Sequence, residues 1–292
     1  YGWGLQGWDV SYFFQMGSTR GRVSNRLTLN PWDASNPVGL ATFPAVARMV
    51  RRLDVQESPV THHLNADVRS LLQGKMSFLG DTIQNWDEKV FLTDKVPPEA
   101  LAAVRVAVDF TDSFKETPPF DLSAYQTGNT VSSATGQLAW TAGEQGNPHS
   151  GFFTINTAGT KGFVGFAPGE QRFDLGNGFS ITPERGFAVI LITAAGPDEH
   201  LDDSSEWIIT AMARGRNTGM QFSESGDRLL EKGKPPVLLE PIRAAVQIPA
   251  QGTLELLDHD GVAAISDRQV DGAFSINGAE DQTPYYRFKR QQ

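Results

Sequence analysis

At 292 residues, with 39% hydrophobic content and 18 phenylalanines, the chain is long enough for two or three globular domains with ordinary cores. Its formal charge of −9 offers no basic stripe to neutralise phosphates, so nucleic acid is excluded as an expected partner. There is no cysteine for disulfides or thiolate metal sites, and no apolar run long enough to cross a bilayer as a helix, so neither a bound metal nor a membrane is expected.

The first elements predicted are a strand, a long loop and a helix. The run Gly7-Trp8-Asp9-Val10-Ser11-Tyr12-Phe13-Phe14-Gln15-Met16 is too apolar to keep one face in water, which suits a parallel strand covered on both sides. After the loop, Asn36 as N-cap and Pro37 at the first helical position start a helix. Leu40, Phe43, Val46, Ala47 and Val50 recur at helical spacing as its apolar face. Pro44 lies inside that pattern and should kink the helix or restart it. One βα unit cannot form a core by itself, so elements that should precede it are expected to be missing.

Leu5-Gln6-Gly7-Trp8-Asp9, the aromatic strand, Asn36-Pro37 and the helix ending Arg51-Arg52-Leu53-Asp54-Val55 resemble the end of a catalytic (β/α)8 barrel. The pattern is similar to clan A glycoside hydrolases of the β-galactosidase and agarase-like kind. The resemblance is close over residues 1–55 and looser over the β-rich remainder, since such barrels often carry C-terminal β-sandwich domains. It implies the eighth strand and eighth helix of the barrel. The acid/base Glu and the nucleophile Glu would then both lie upstream of Tyr1, leaving no catalytic residue in this chain and no cofactor. In a retaining enzyme those carboxylates stand about 5 Å apart. The implied partners are a carbohydrate substrate and the missing N-terminal barrel segment, either cleaved off or a separate chain. Homo-oligomers through sandwich domains are a further expectation. An acidic, cysteine-free chain also fits a secreted or periplasmic bacterial polysaccharide enzyme.

The loop from Gly17 to Ser35 follows the predicted strand. Loops after barrel strands build the active-site face, and about nineteen residues is long for one. Trp32 suits a sugar platform, because an indole face stacks on the C–H face of a pyranose. Arg20, with Arg22 and Arg26, suits an anionic or hydroxyl-rich glycan. Phe14 and Gln15, at the end of the strand, would be nearest the sugar. The alternative is that Trp32 covers the helix start and the arginines are solvated. Asp9 sits at the opposite, stability end of the strand, against a catalytic role.

Residues 1–58 therefore read as the end of a catalytic barrel, 59–126 as a mixed connecting region, 127–233 as a β-sandwich and 234–292 as a small C-terminal β domain. In the connecting region, Pro59–Leu64 predicts a strand whose His62 and His63 face opposite ways and so serve structure rather than a shared metal. Asp67 begins a short helix, and Pro97-Pro98 opens another. Beyond the linker Glu116–Pro119 the helical period disappears. Strands are predicted over Gly136–Thr141, Gly151–Thr157, Gly162–Ala167, Phe173–Leu175, Phe187–Thr193 and Trp207–Arg214. Leu175-Gly176-Asn177-Gly178 predicts a hairpin turn. The acidic stretch Pro197–Glu206 has oxygen ligands for calcium but no regular ligand spacing, and Asp258–Gly261 reads as a tight turn. The terminal part adds strands over Val237–Ile248, Thr253–Leu257, Val262–Ile265, Phe274–Ile276 and Tyr285–Lys289.

Two functions follow. The first is part of a retaining glycoside hydrolase acting on a β-linked, galactose-type or related glycan, anionic glycans included. The second is a non-catalytic carbohydrate-binding or assembly module formed by the β domains alone.

Overall fold

The structure, a computed structural model, describes residues 2–9, 27, 37–73, 82–85, 88–91, 96–147, 149–224, 226 and 228–291. Three helices come first: α1 (Gly2–Gln6), α2 (Pro37–Ala41) and α3 (Phe43–Arg52). Pro44 has the predicted effect. It cannot donate to a preceding turn, so the chain breaks at Thr42 and α3 restarts with proline in its first turn. The chain divides into two compact units, residues Tyr1–Asp9 with Val55–Ala142, and Val10–Asp54 with Gly143–Gln292.

In the first unit, β1 (Thr61–Asp67) runs parallel to a later strand, β4 (Arg105–Thr111), in register from Thr61 with Arg105 to Asp67 with Thr111. Between them lie α4 (Val68–Leu72), the hairpin β2 (Thr82–Asn85) and β3 (Glu88–Phe91), and α5 (Ala100–Ala103). Asp67 starts α4 as expected, its carboxylate accepting from Arg69 N–H at 3.1 Å and Ser70 Oγ at 2.9 Å. An antiparallel meander follows, β5 (Gln126–Thr127), β6 (Thr130–Ser132) and β7 (Leu138–Thr141). Val131 packs with Ala102, Ala103 and Val104 in a small core.

The second unit is mostly antiparallel sheet and is consistent with a β-sandwich. Its strands are β8 (Phe152–Asn156), β9 (Thr160–Ala167), β10 (Phe173–Asp174), β11 (Ser180–Pro183), β12 (Gly186–Ala194) and β13 (Glu206–Met212). Two small ribbons follow, pairing β14 (Gly215–Thr218) with β17 (Lys234–Leu239) and β15 (Gln221–Phe222) with β16 (Leu229–Glu231). The long hairpin β18 (Arg243–Leu257) and β19 (Ala264–Asn277), the short helix α6 (Gly278–Asp281) and β20 (Tyr285–Arg290) complete it. The order is β10-β11-β18-β20-β13-β12-β9-β8, with β19 along β18. Before a register shift between Gln247 and Gln251, β18 pairs with β11; after it, β18 pairs with β20. That irregularity bends one strand across two layers. The strands β18, β19 and β20 thus share the sheet of β12 and β13, and alternate residues of both stretches fill one core. Phe163, Ile190, Trp207, Ile209, Val246, Leu254, Phe274 and Phe288 all belong to it. Each such aliphatic or Phe side chain contributes roughly 1.5–3 kcal/mol by burial.

The predicted hairpin turn joins β10 to β11. Gly176, Asn177 and Gly178 all take positive φ, and Leu175 N–H donates to Phe179 O at 2.9 Å.

No (β/α)8 segment is shown among the described residues; of the predicted strand over 7–16, residues 7–9 are turn or irregular and 10–16 lie outside the described residues. Where the sequence predicts a helix closing a barrel, α3 packs on β12 and β13 of the antiparallel unit. Its facing is also the reverse of the prediction: Phe43, Val46 and Val50 are exposed, while Ala45 and Met49 are buried with Arg52. The cause is electrostatic. Arg52 Nη1 donates to Ala194 O (2.9 Å) and Gly196 O (3.1 Å), and Nη2 to Gly159 O (3.0 Å) and Thr193 Oγ1 (2.7 Å). A bidentate pair with Asp54, at 2.9 and 2.8 Å, uses Nε and Nη2. Thr160 Oγ1 donates to the same carboxylate at 2.7 Å.

Candidate functional site

Phe14, Gln15, Arg20 and Trp32, with Arg22, Arg26 and Asp33, lie outside the described residues. The other residues singled out by sequence are placed. His62 and His63 project from opposite faces of β1: His62 Nε2 lies 3.1 Å from Pro118 O, and His63 Nδ1 lies 2.8 Å from Asp109 Oδ1. The acidic stretch is organised by Ser204, whose Oγ lies 2.6 Å from both Glu199 Oε2 and Glu206 O and has one proton to donate between them, and by buried Leu201. Among the described residues, no group of three or more His, Cys, Asp or Glu is arranged to hold a metal ion. Asp258 makes a tight turn, its Oδ1 accepting from Val262 N–H at 2.9 Å.

Lys161 is buried on β9, where its Nζ donates to Asn156 Oδ1 and lies 5.9 Å from the Phe179 ring centroid. Burial lowers its pKa, while Asp202 and Asp174 act in the opposite direction. The ammonium is enclosed by its own unit and holds β8 and β9 together.

The open site lies elsewhere, where turns and strand ends of the antiparallel unit meet. A cleft of about 800 Å³ is lined by Glu170 after β9, Glu184 and Arg185 before β12, Arg243 on β18, and Ser275 and Asn277 on β19. The backbone closes one wall, Glu184 N–H donating to Arg243 O at 2.9 Å. Arg243 Nε donates to Asn277 Oδ1 at 3.3 Å, which orients the guanidinium. At the lip, Gly169 and Glu170 are successive left-handed residues, with φ of +89° and +56°. Gly169 is needed for a second reason: a Cβ there would lie 3.1 Å from that of Arg185. Glu170 has no such excuse, since a left-handed residue with a side chain costs about 1 kcal/mol.

A smaller groove of about 250 Å³ shares Glu184, Arg185 and Arg243, and adds Phe187 and Glu240. Glu240 accepts a two-pronged bond from Arg214 at 2.9 and 3.3 Å. The Arg214 guanidinium stands 5.8 Å from the Phe166 centroid, and Phe166 meets Phe187 edge-on at 5.2 Å. The surface therefore runs from a polar cleft to an aromatic step. In the cleft Glu170 and Glu184 balance Arg185 and Arg243, two charges against two, and Glu240 beside them is paired with Arg214. These forks and carboxylates offer donors and acceptors without a net field, as hydroxyl groups require. Comparison with family models, with curated proteins and with solved structures finds no match.

Proposed function

We propose that the antiparallel unit grips a neutral, hydroxyl-rich glycan of the β-linked galactose type, serving a glycoside hydrolase of the β-galactosidase and agarase-like kind. The carrying observation is the open cleft whose two guanidinium groups, Arg185 and Arg243, cancel its two carboxylates, Glu170 and Glu184, beside a Phe166–Phe187 step. A strained carboxylate kept at the lip supports a binding role, because backbone strain away from a structural need clusters at functional positions. The galactose class and the hydrolase setting rest on the resemblance of residues 1–55. A secreted or periplasmic location belongs to the same reading. An anionic glycan is disfavoured by the balanced cleft and by the −9 charge of the whole chain.

The test is calorimetric titration of the whole chain with an agarose hexasaccharide and a κ-carrageenan hexasaccharide at low and high salt. The neutral sugar is expected to bind more tightly, with an affinity unmoved by salt, and Arg243→Ala should weaken it about tenfold, or about 1.4 kcal/mol. Tighter binding of the sulfated sugar, lost as salt rises, would overturn the neutral assignment. Binding of neither sugar would overturn the carbohydrate reading.

A further inference from the structure

The first unit holds an aromatic feature that the cleft does not use. Helix α1 ends at Gly7, whose φ of +70° turns the chain back. Trp8 N–H then donates to Trp3 O at 3.0 Å, and the two indoles stack with centroids 6.4 Å apart and planes 13° from parallel. Contact between these positions is common at such a helix end and would by itself be only a cap. What separates this pair is exposure within a fixed frame. Trp3 is 43% and Trp8 62% exposed, whereas Leu5, between them in sequence, is wholly buried.

The frame comes from Gln6. Its Nε2 donates to Leu101 O (3.0 Å) and Val104 O (2.6 Å), and its Oε1 accepts from Val106 N–H at 2.9 Å. Ser58 N–H adds a bond to Leu5 O at 3.0 Å. Polar groups border the turn as well. A Cβ on Gly7 would lie 2.8 Å from Cδ of Glu57, so the glycine lets that carboxylate reach the turn, and Glu57 is paired with Arg105. A fixed pair of near-parallel, water-exposed indoles with a donor and an acceptor at its margin matches a pyranose: C–H groups on its face and hydroxyls around its rim.

We infer that Trp3 and Trp8 form a second carbohydrate contact, a stacking platform for the C–H face of a pyranose ring, with Glu57 and Arg105 reading its hydroxyls. This rests on the carbohydrate reading above but uses residues of the other unit and a signal of its own. The experiment follows tryptophan emission and acrylamide quenching of the whole chain during titration with an agarose hexasaccharide. Emission should shift to the blue and quenching should fall saturably, because among the described residues Trp207 is already buried while Trp3 and Trp8 are the exposed indoles that a sugar can shield. Trp8→Ala should abolish most of that change, and Trp8→Tyr should keep a weaker sugar affinity while Trp3 still reports. In Arg243→Ala the response should persist. Sugar binding by calorimetry that depends on Arg243, with unchanged emission and quenching in the native chain, would overturn the platform and leave the cleft standing. Quenching protection unaltered by Trp8→Ala would overturn it too.

Discussion

Two groups of arginines and carboxylates in the antiparallel unit use the same chemistry to opposite ends. Under α3, the Arg52 and Asp54 side chains are 3% and 1% exposed, and the guanidinium is spent on protein acceptors from residues 54, 159, 193, 194 and 196. At the cleft, Arg185, Arg243, Glu170 and Glu184 are all exposed and line open space. A closed network fixes a helix to a sheet and has nothing left to offer a ligand. An open set adds little to stability and keeps its bonding capacity. Residue type alone does not tell the two apart; the acceptors around it do.

Breaking the closed network should cost the most. Asp54→Ala leaves a buried guanidinium without its counter-charge, so stability should fall by about 3–5 kcal/mol in urea unfolding. The double variant Arg52→Met with Asp54→Leu should lose less than either single change, since no charge is then left uncompensated. A single substitution costing under about 1 kcal/mol would mean that the network is not a lock. The open group should respond in the other direction. Glu170→Gly relieves a left-handed residue and should raise stability by about 0.5 kcal/mol, while weakening the neutral hexasaccharide severalfold. Leu53, also left-handed (φ +54°) at the end of α3, is the control: Leu53→Gly should stabilise similarly and leave sugar affinity as it was. Loss of sugar affinity in both variants would point to a global effect and remove Glu170 from the site.

The same contrast explains what could be read from sequence. Turn chemistry is local, so the 175–178 hairpin, the restart at Pro44 and the short strands from 138 to 212, β11 excepted, were legible in the residues themselves. The facing of α3 was not legible. Its apolar spacing at Phe43, Val46 and Val50 is as regular as a core stripe, and the acceptors that hold Arg52 inward, Asp54 apart, lie more than a hundred positions away. The cleft was hidden for a related reason: its residues are ordinary surface types drawn from turns and strand ends between 170 and 277, and no motif links them. One signal was available. Gly169 before Glu170, in a stretch that also carries Pro168, marks a tight turn presenting a carboxylate.

Between the closed and the open group lies Glu255, which is paired but lies at the rim. Its carboxylate accepts from Arg287 Nε at 2.6 Å and Lys289 Nζ at 2.7 Å across the β18–β20 pairing. Burial alone would push its pKa up, but the hydrogen bonds and charges of Lys289 and Arg287 outweigh that and hold it below the usual carboxylate range. A depressed folded pKa means that the folded state releases the proton more readily than the unfolded chain. The stabilisation is therefore complete above the unfolded value, about 4.3 for Glu, and is lost as pH falls through the lower folded value. Lys289 is 43% exposed, so solvent screening keeps the contribution near that of a surface pair, about 0.5–1 kcal/mol. Glu255→Gln should thus be less stable than the native chain by that amount at neutral pH, with the two curves converging as pH drops below 4.3. High salt should shrink the neutral-pH gap, whereas the Asp54→Ala deficit should survive it, because a buried pair is little screened. A gap for Glu255→Gln that widened toward acid would reverse the sign and show that burial, not its two cationic partners, governs this carboxylate.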